Sequence, residues 1–151
     1  MSMRRNDIRR YVWAAVMAGG LLLLTGACGS RHSKAQPVVD ALNSPEFRAR
    51  EIQTGLFSGS EARIEGDTLV FTVDCTEKVV LAELPPRSRD FLEQSATMEL
   101  SDLCADKGFR EGIEALRDER MGVKIVWRDT KGAEIAVALS PEAILGANGS
   151  E

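Results

Sequence analysis

The stretch VKIVWRDTKGAEIAVAL, residues 123–139, carries the clearest secondary-structure pattern in the sequence. On both sides of the turn sequence DTKG at 129–132, apolar residues occupy every second position. Such alternation is typical of β-strands with one buried face, and a polar, glycine-containing turn between two of them indicates a β-hairpin. The residues expected on the buried face are Val123, Ile125, Trp127, Ile135, Val137 and Leu139.

The same pattern occurs further upstream in the chain. Within residues 60–73, alternating residues flank Gly66 and Asp67, a pair typical of tight turns, so a first hairpin is predicted there. The following stretch at 78–84, KVVLAEL, fits a strand or a helix equally well, and the prolines after it end either element.

Helices are predicted between and before the hairpins. Ser44 followed by Pro45 is a favourable helix start, so a helix is expected over 45–54, preceded by a short turn. Apolar spacing predicts further helix over 88–120, which we expect Gly108 to divide into two.

Together these elements predict an α+β domain over residues 38–145. Its order is α-β-β-α-α-β-β, with a four-stranded antiparallel sheet and helices packed on one face, followed by a frayed tail at 146–151.

The N-terminal residues have the composition of a secretory signal. Four arginines within residues 4–10 precede the apolar run 11–24, which is 14 residues long. A spanning helix needs about 20 apolar residues, whereas signal peptides use about 7 to 15. Residues 1–27 are therefore predicted to be a signal peptide.

The segment LTGACGS at 24–30 resembles the lipobox of bacterial lipoproteins, although Thr25 stands where that family prefers leucine. The resemblance implies that the thiol of Cys28 is lipidated and that the chain is cut just before it. It also implies anchoring to the cell membrane on the extracytoplasmic side, through a flexible tether at 28–37. Within the domain, NSPEF, GDTLVFTV and VKIVWRDTKGAEI are similar to small bacterial surface lipoproteins with a domain of unknown function.

Two cysteines remain after Cys28. An even number of cysteines in an oxidising compartment favours one disulfide, here between Cys75 and Cys104. A metal or redox role is the alternative, but there is no C-x-x-C spacing and His32 is the single histidine.

Charge and composition limit the function. After position 27 the chain has 15 basic and 22 acidic residues, which argues against nucleic-acid partners and against a second, electrostatic membrane contact. The predicted domain lacks the histidine of Ser-His-Asp hydrolases and a phosphate-binding loop. We therefore expect no cofactor, no metal and no enzymatic activity, but a binding or interaction module with an envelope protein as partner. A wall-directed enzyme or inhibitor that uses carboxylates, and a structural spacer, are the alternatives.

The sheet face turned away from the helices is the candidate partner surface. Small and apolar residues are expected at its centre with charges around them, a composition that fits a partner site or an ordinary solvated sheet face. Its residues are Val70, Thr72, Lys124, Val126, Arg128, Glu134, Ala136 and Ala138.

Overall fold

Two β-hairpins lie side by side in the computed structural model, which describes residues 34–147. The first hairpin consists of β1 (Phe57–Glu65) and β2 (Thr68–Cys75), and the second of β3 (Gly122–Arg128) and β4 (Glu134–Leu139). They form one sheet in the order β1-β2-β3-β4. Both predicted hairpins and the α+β class are confirmed.

The central strand pair differs from the prediction. β2 and β3 run parallel, with Phe71 opposite Ile125 and Val73 opposite Trp127, so the predicted all-antiparallel sheet is wrong at this pair. Alternation of apolar residues fixes which face of a strand is buried, but it does not fix the direction of its neighbour. A parallel pair needs a crossover of a dozen residues or more, and residues 76–121 supply it.

Five helices and one 3₁₀ turn accompany the sheet in the described residues, and the core lies between the helices and one sheet face. These elements are α1 (Gln36–Leu42), α2 (Pro45–Gln53), the 3₁₀ turn (Leu81–Glu83), α3 (Ser88–Leu103), α4 (Lys107–Asp118) and α5 (Pro141–Gly146).

Several helix boundaries in the structure differ from the predicted ones. The short turn expected before Pro45 is helix α1, and the ambiguous stretch 78–84 forms a single 3₁₀ turn in place of a strand or helix. The long helical region breaks before Asp106, whose side chain accepts a hydrogen bond from the Phe109 amide at 2.9 Å. Gly108 lies inside α4, because a capping carboxylate starts a new helix more effectively than a glycine ends the previous one.

The domain is slightly longer than predicted at both ends. Ala35 is fully buried and α1 begins at Gln36, so the last residues of the predicted tether belong to the domain. At the other end, α5 ends at Gly146, one residue beyond the predicted domain, and its Ile144 is fully buried. The predicted signal peptide, Cys28 and most of the tether lie outside the described residues, as do residues 148–151.

A buried carboxylate joins the crossover to the second hairpin. Asp129 accepts hydrogen bonds from the amides of Leu81 at 2.9 Å, Lys131 at 3.0 Å and Ala133 at 2.9 Å. The Leu81 bond is the largest cause that lowers the pKa of Asp129, and the two turn amides add to it. Asp129 therefore fixes the 3₁₀ turn against the β3–β4 turn.

Helices α1 and α4 approach closely at a glycine. A Cβ atom built on Gly112 would collide with Cγ2 of Val38. Both residues are buried, and the valine side chain has little rotamer freedom to move away. The absence of a side chain at position 112 is therefore required by the contact between these helices.

We expect Gly112→Ala to destabilise the fold by about 1 to 3 kcal/mol through overpacking, although alanine favours helix over glycine by about 1 kcal/mol. Urea denaturation measures the change. Gly146→Ala, where the new Cβ meets open space, is the matched control and should not destabilise. Adding Val38→Ala to Gly112→Ala should recover part of the loss; purely additive effects would contradict the steric explanation.

Candidate ligand-binding cleft

An apolar cleft of about 290 Å³ opens between α2, α3 and the covered face of the sheet. Its floor comes from the parallel central strands, with Phe71 and Val73 from β2 and Ile125 and Trp127 from β3. Buried aromatic and aliphatic side chains thus form its base, as in most small-molecule sites.

Helix α2 forms one wall of the cleft and is attached at the β1 edge. The Asn43 side chain, just before the helix, donates to the Ala62 carbonyl and accepts from the Ala62 amide, both at 2.8 Å. Ser44 caps the helix by accepting from the Phe47 amide at 3.2 Å. The Phe47 ring then packs edge to face on Phe71, with centroids 5.8 Å apart. These contacts hold the first turn of α2 on the sheet.

Helix α3 forms the opposite wall and packs against β4 at the other sheet edge. Its own residues Ala96 and Leu100 are buried, and Arg89 donates from Nη2 to the Ala136 carbonyl at 3.0 Å. Because the two helices are attached at opposite edges of the sheet, the central strands lie between them. The cleft follows from this spacing.

Large apolar side chains stand exposed around the cleft. Phe91 of α3 is 69% exposed and Leu56, after α2, is 43% exposed, and both line it. Met98, also exposed, lines an adjoining groove together with Phe91. Exposed apolar groups that continue into a cavity are typical of a binding site.

Two carboxyl groups from opposite walls meet at this site. Glu51 of α2 and Glu99 of α3 both line the cleft, and their side chains are hydrogen-bonded. Burial raises the pKa of Glu51 to about 7, with further contributions from the hydrogen bond to Glu99 and its charge, while Arg50 opposes the shift. Near neutral pH, Glu51 therefore keeps its proton in about half of the molecules and can donate it to Glu99.

The sequence contains a weak signal for this pair of acids, which the spacing of apolar residues alone does not reveal. Glu51 stands four residues after Phe47, and Glu99 three after Ala96, so each acid lies on the same side of its helix as a buried residue. An acid within an apolar helical stripe indicates a special environment. What the stripe could not show is that the two helices face each other.

We expect Glu51→Gln to stabilise the protein at pH 8 by about 1 kcal/mol relative to wild type, after allowance for solvent screening of the half-exposed carboxyl. Since the folded-state pKa is raised, the folded chain holds more protons than the unfolded chain between pH 4.5 and 7, and wild-type stability falls as pH rises through that window.

Urea denaturation at pH 5 and pH 8 measures this effect. Glu46→Gln, an exposed acid on the same helix, removes the same charge and serves as the control. The stability difference between Glu51→Gln and wild type should grow with pH, and an equal difference at both values would contradict the raised pKa of Glu51.

The structure brings the residues of the predicted partner face together on the side opposite the core. Lys124, Arg128, Glu134 and Ala138 are exposed, and Thr72 and Ala136 are partly so. At the centre, however, Val70 and Val126 are only 5% and 8% exposed. Arg128 also forms an ion pair with Asp74, at 2.9 Å between Nη2 and Oδ1. The accessible part of this face is therefore charged, with little of the expected apolar centre.

The predicted disulfide is not formed in the structure. Cys75, at the end of β2, and Cys104, after α3, are both buried free thiols. Burial raises the pKa of each, but the charged neighbours differ: Asp129 and Asp74 act on Cys75, whereas Arg110 and Glu114 act on Cys104. Both cysteines belong to the same hydrophobic core cluster.

No metal-binding group of three or more His, Cys, Asp or Glu occurs within residues 34–147. Over the same residues, none of the helices combines the length and apolar character needed to cross a bilayer. Comparison with protein-family models, curated proteins and solved structures finds no match to the chain.

Proposed function

We propose that this chain is a lipid-anchored, extracytoplasmic binding module whose cleft between α2 and α3 holds the apolar part of a small ligand. The lipid on Cys28 would keep the domain at the membrane surface. The cleft would then capture a ligand or a group of a partner molecule without chemical change.

The observation that carries the binding proposal is the apolar cleft with exposed Phe91 and Leu56 beside it. An enclosed apolar cavity of about 150 Å³ binds benzene, so a cleft of this size suits a group roughly twice as large. Functional small-molecule pockets begin at about 300 Å³. A medium-length alkyl chain or a two-ring aromatic group matches these dimensions.

The lipobox resemblance supports the anchor. Two acyl chains hold a protein stably on a bilayer, whereas one chain holds it only marginally. The acidic domain gains little from anionic headgroups, so the lipid would supply the attachment.

For the anchor, we expect the protein extracted from its native membrane to have the mass of a chain that starts at Cys28 and carries acyl groups. A Cys28→Ala variant should lack that added mass and remain uncleaved at this position. Intact mass spectrometry measures both, and an unmodified wild-type chain would contradict the proposal. The mass before and after reduction also reports the redox state of Cys75 and Cys104.

For the cleft, we expect octan-1-ol to bind saturably and to change the fluorescence of Trp127, which lies on the floor. The full chain with Trp13→Phe makes Trp127 the only tryptophan. Adding Ser95→Phe, at an exposed position that lines the cleft, should weaken binding at least tenfold by occupying the space.

Gln94→Phe is the matched control for this blocking variant. Residue 94 is also exposed on α3 but lines the neighbouring groove, so binding should persist. A fluorescence change that never saturates, or that is equal in both variants, would contradict a specific site.

A second candidate function is a wall-directed hydrolase or inhibitor that acts through carboxylates, and the Glu51–Glu99 pair favours it. Two acids that share a proton can divide acid and base roles. Hydrogen-bonded carboxyls are, however, closer together than the roughly 5 to 9.5 Å that glycosidases use. Release of fragments from wall polymers by wild type, lost in Glu51→Gln, would support this candidate over pure binding.

A further inference from the structure

We propose that the cleft selects amphiphilic ligands that combine an alkyl or aromatic body with a primary ammonium group, and that Glu51 and Glu99 together hold the ammonium. This inference rests on the proposed binding function and specifies its ligand class.

The polar groups that line the cleft are mostly hydrogen-bond acceptors. Glu51, Glu99 and the hydroxyl of Ser95 are its polar side chains, and no lysine, arginine or histidine lines it within the described residues. Ionised carboxylates only accept hydrogen bonds, whereas an ammonium group only donates them and has three N–H bonds to give. An ammonium head therefore complements this lining better than a hydroxyl or a carboxylate does.

The position of the two acids gives the ligand its orientation. They come from opposite walls, while the floor consists of Phe71, Val73, Ile125 and Trp127. An apolar body that packs on this floor leaves its polar head beside the carboxyl pair. Contact with both walls at once places the head between α2 and α3.

Charge repulsion between Glu51 and Glu99 in the ligand-free protein favours ammonium ligands over carboxylate ligands. When both carboxyls are ionised, the charge of the exposed Glu99 opposes that of the partly buried Glu51, and the free protein relieves this by keeping a proton on Glu51. A bound ammonium replaces the proton and pairs with both charges. A ligand carboxylate would instead add a third negative charge.

The positive side chain that acts on Glu51 is its neighbour on α2. Arg50 favours ionisation of Glu51, but it lines the adjoining groove together with Glu99 and Asp102. Cleft and groove together therefore have one cation, Arg50, and three acids, Glu51, Glu99 and Asp102, and their net charge is negative when the acids are ionised.

Proton linkage gives this inference a quantitative signature. With Glu51 titrating near pH 7, ammonium binding must displace a proton at pH 6 but not at pH 8. The apparent affinity for an alkylammonium should then rise about tenfold from pH 6 to pH 8, in proportion to the ionised fraction of the pair. An alcohol should show no such rise, and a fatty carboxylate should bind more weakly at pH 8.

The test compares octan-1-ammonium, octan-1-ol and octanoate on the full chain carrying Trp13→Phe, by Trp127 fluorescence and calorimetry at pH 6 and pH 8. We expect the ammonium to bind at least tenfold more tightly than the alcohol at pH 8. Glu51→Gln should abolish both this preference and the pH dependence. Glu46→Gln should retain the preference for ammonium and its pH dependence. Ser95→Phe should weaken the binding of all three ligands.

Retained octanol binding by Glu51→Gln shows that the variant still has a folded cleft. Octanol binding without a preference for ammonium would overturn the ligand class and leave the binding function in place. Failure of all three ligands would overturn both proposals. Tighter binding of octanoate would show that the carboxyl pair acts as a protonated donor and would overturn the ammonium site.

Discussion

Parallel pairing of β2 with β3 is the constraint on which the rest of this structure depends. The pairing runs in continuous register from Thr68 opposite Gly122 to Asp74 opposite Arg128. Since parallel neighbours cannot be joined by a tight turn, the chain must return across the sheet, and α3 and α4 make that return. The same pairing brings Phe71, Val73, Ile125 and Trp127 together into one apolar surface.

The helices cover this surface unevenly. At the end where β2 and β3 begin, Leu69 and Val123 are buried in the same core cluster as residues of α1, α4 and α5. At the end where the two strands finish, α2 and α3 are attached to opposite edges of the sheet and leave the cleft between them. The Glu51–Glu99 pair lies across this gap, where burial and mutual repulsion make it costly for both acids to be ionised. Such a cost persists in a fold when other contacts, here the attachment of the first turn of α2 by Asn43, Ser44 and Phe47, hold the helix on the sheet.

The parts of the fold that the sequence predicted correctly are those governed by local rules. Strict alternation located both hairpins, the glycine-containing turns located their connections, and the Ser44–Pro45 start located α2. Where two local signals competed, at Asp106 and Gly108, the capping carboxylate prevailed. The direction of β3 relative to β2, and the position of α2 opposite α3, depend on how distant segments pack. No short-range pattern carries that information. The cleft therefore could not be predicted from the sequence. Its two acids, Glu51 and Glu99, could be recognised only as charged residues on apolar helical stripes.

The attachments of α2 and α3 make the cleft mechanically asymmetric. The chain leading into α3 is tied through Leu81 to Asp129, and α3 itself buries several residues against the sheet and α5. Helix α2 buries only Phe47, close to its start, and its last turn lies furthest from that attachment. Segments with few buried contacts open at low free-energy cost. The cleft thus has one wall with many buried contacts, α3, and one wall with few, α2. A ligand larger than the resting space would be admitted by displacement of the C-terminal turn of α2, which carries Glu51.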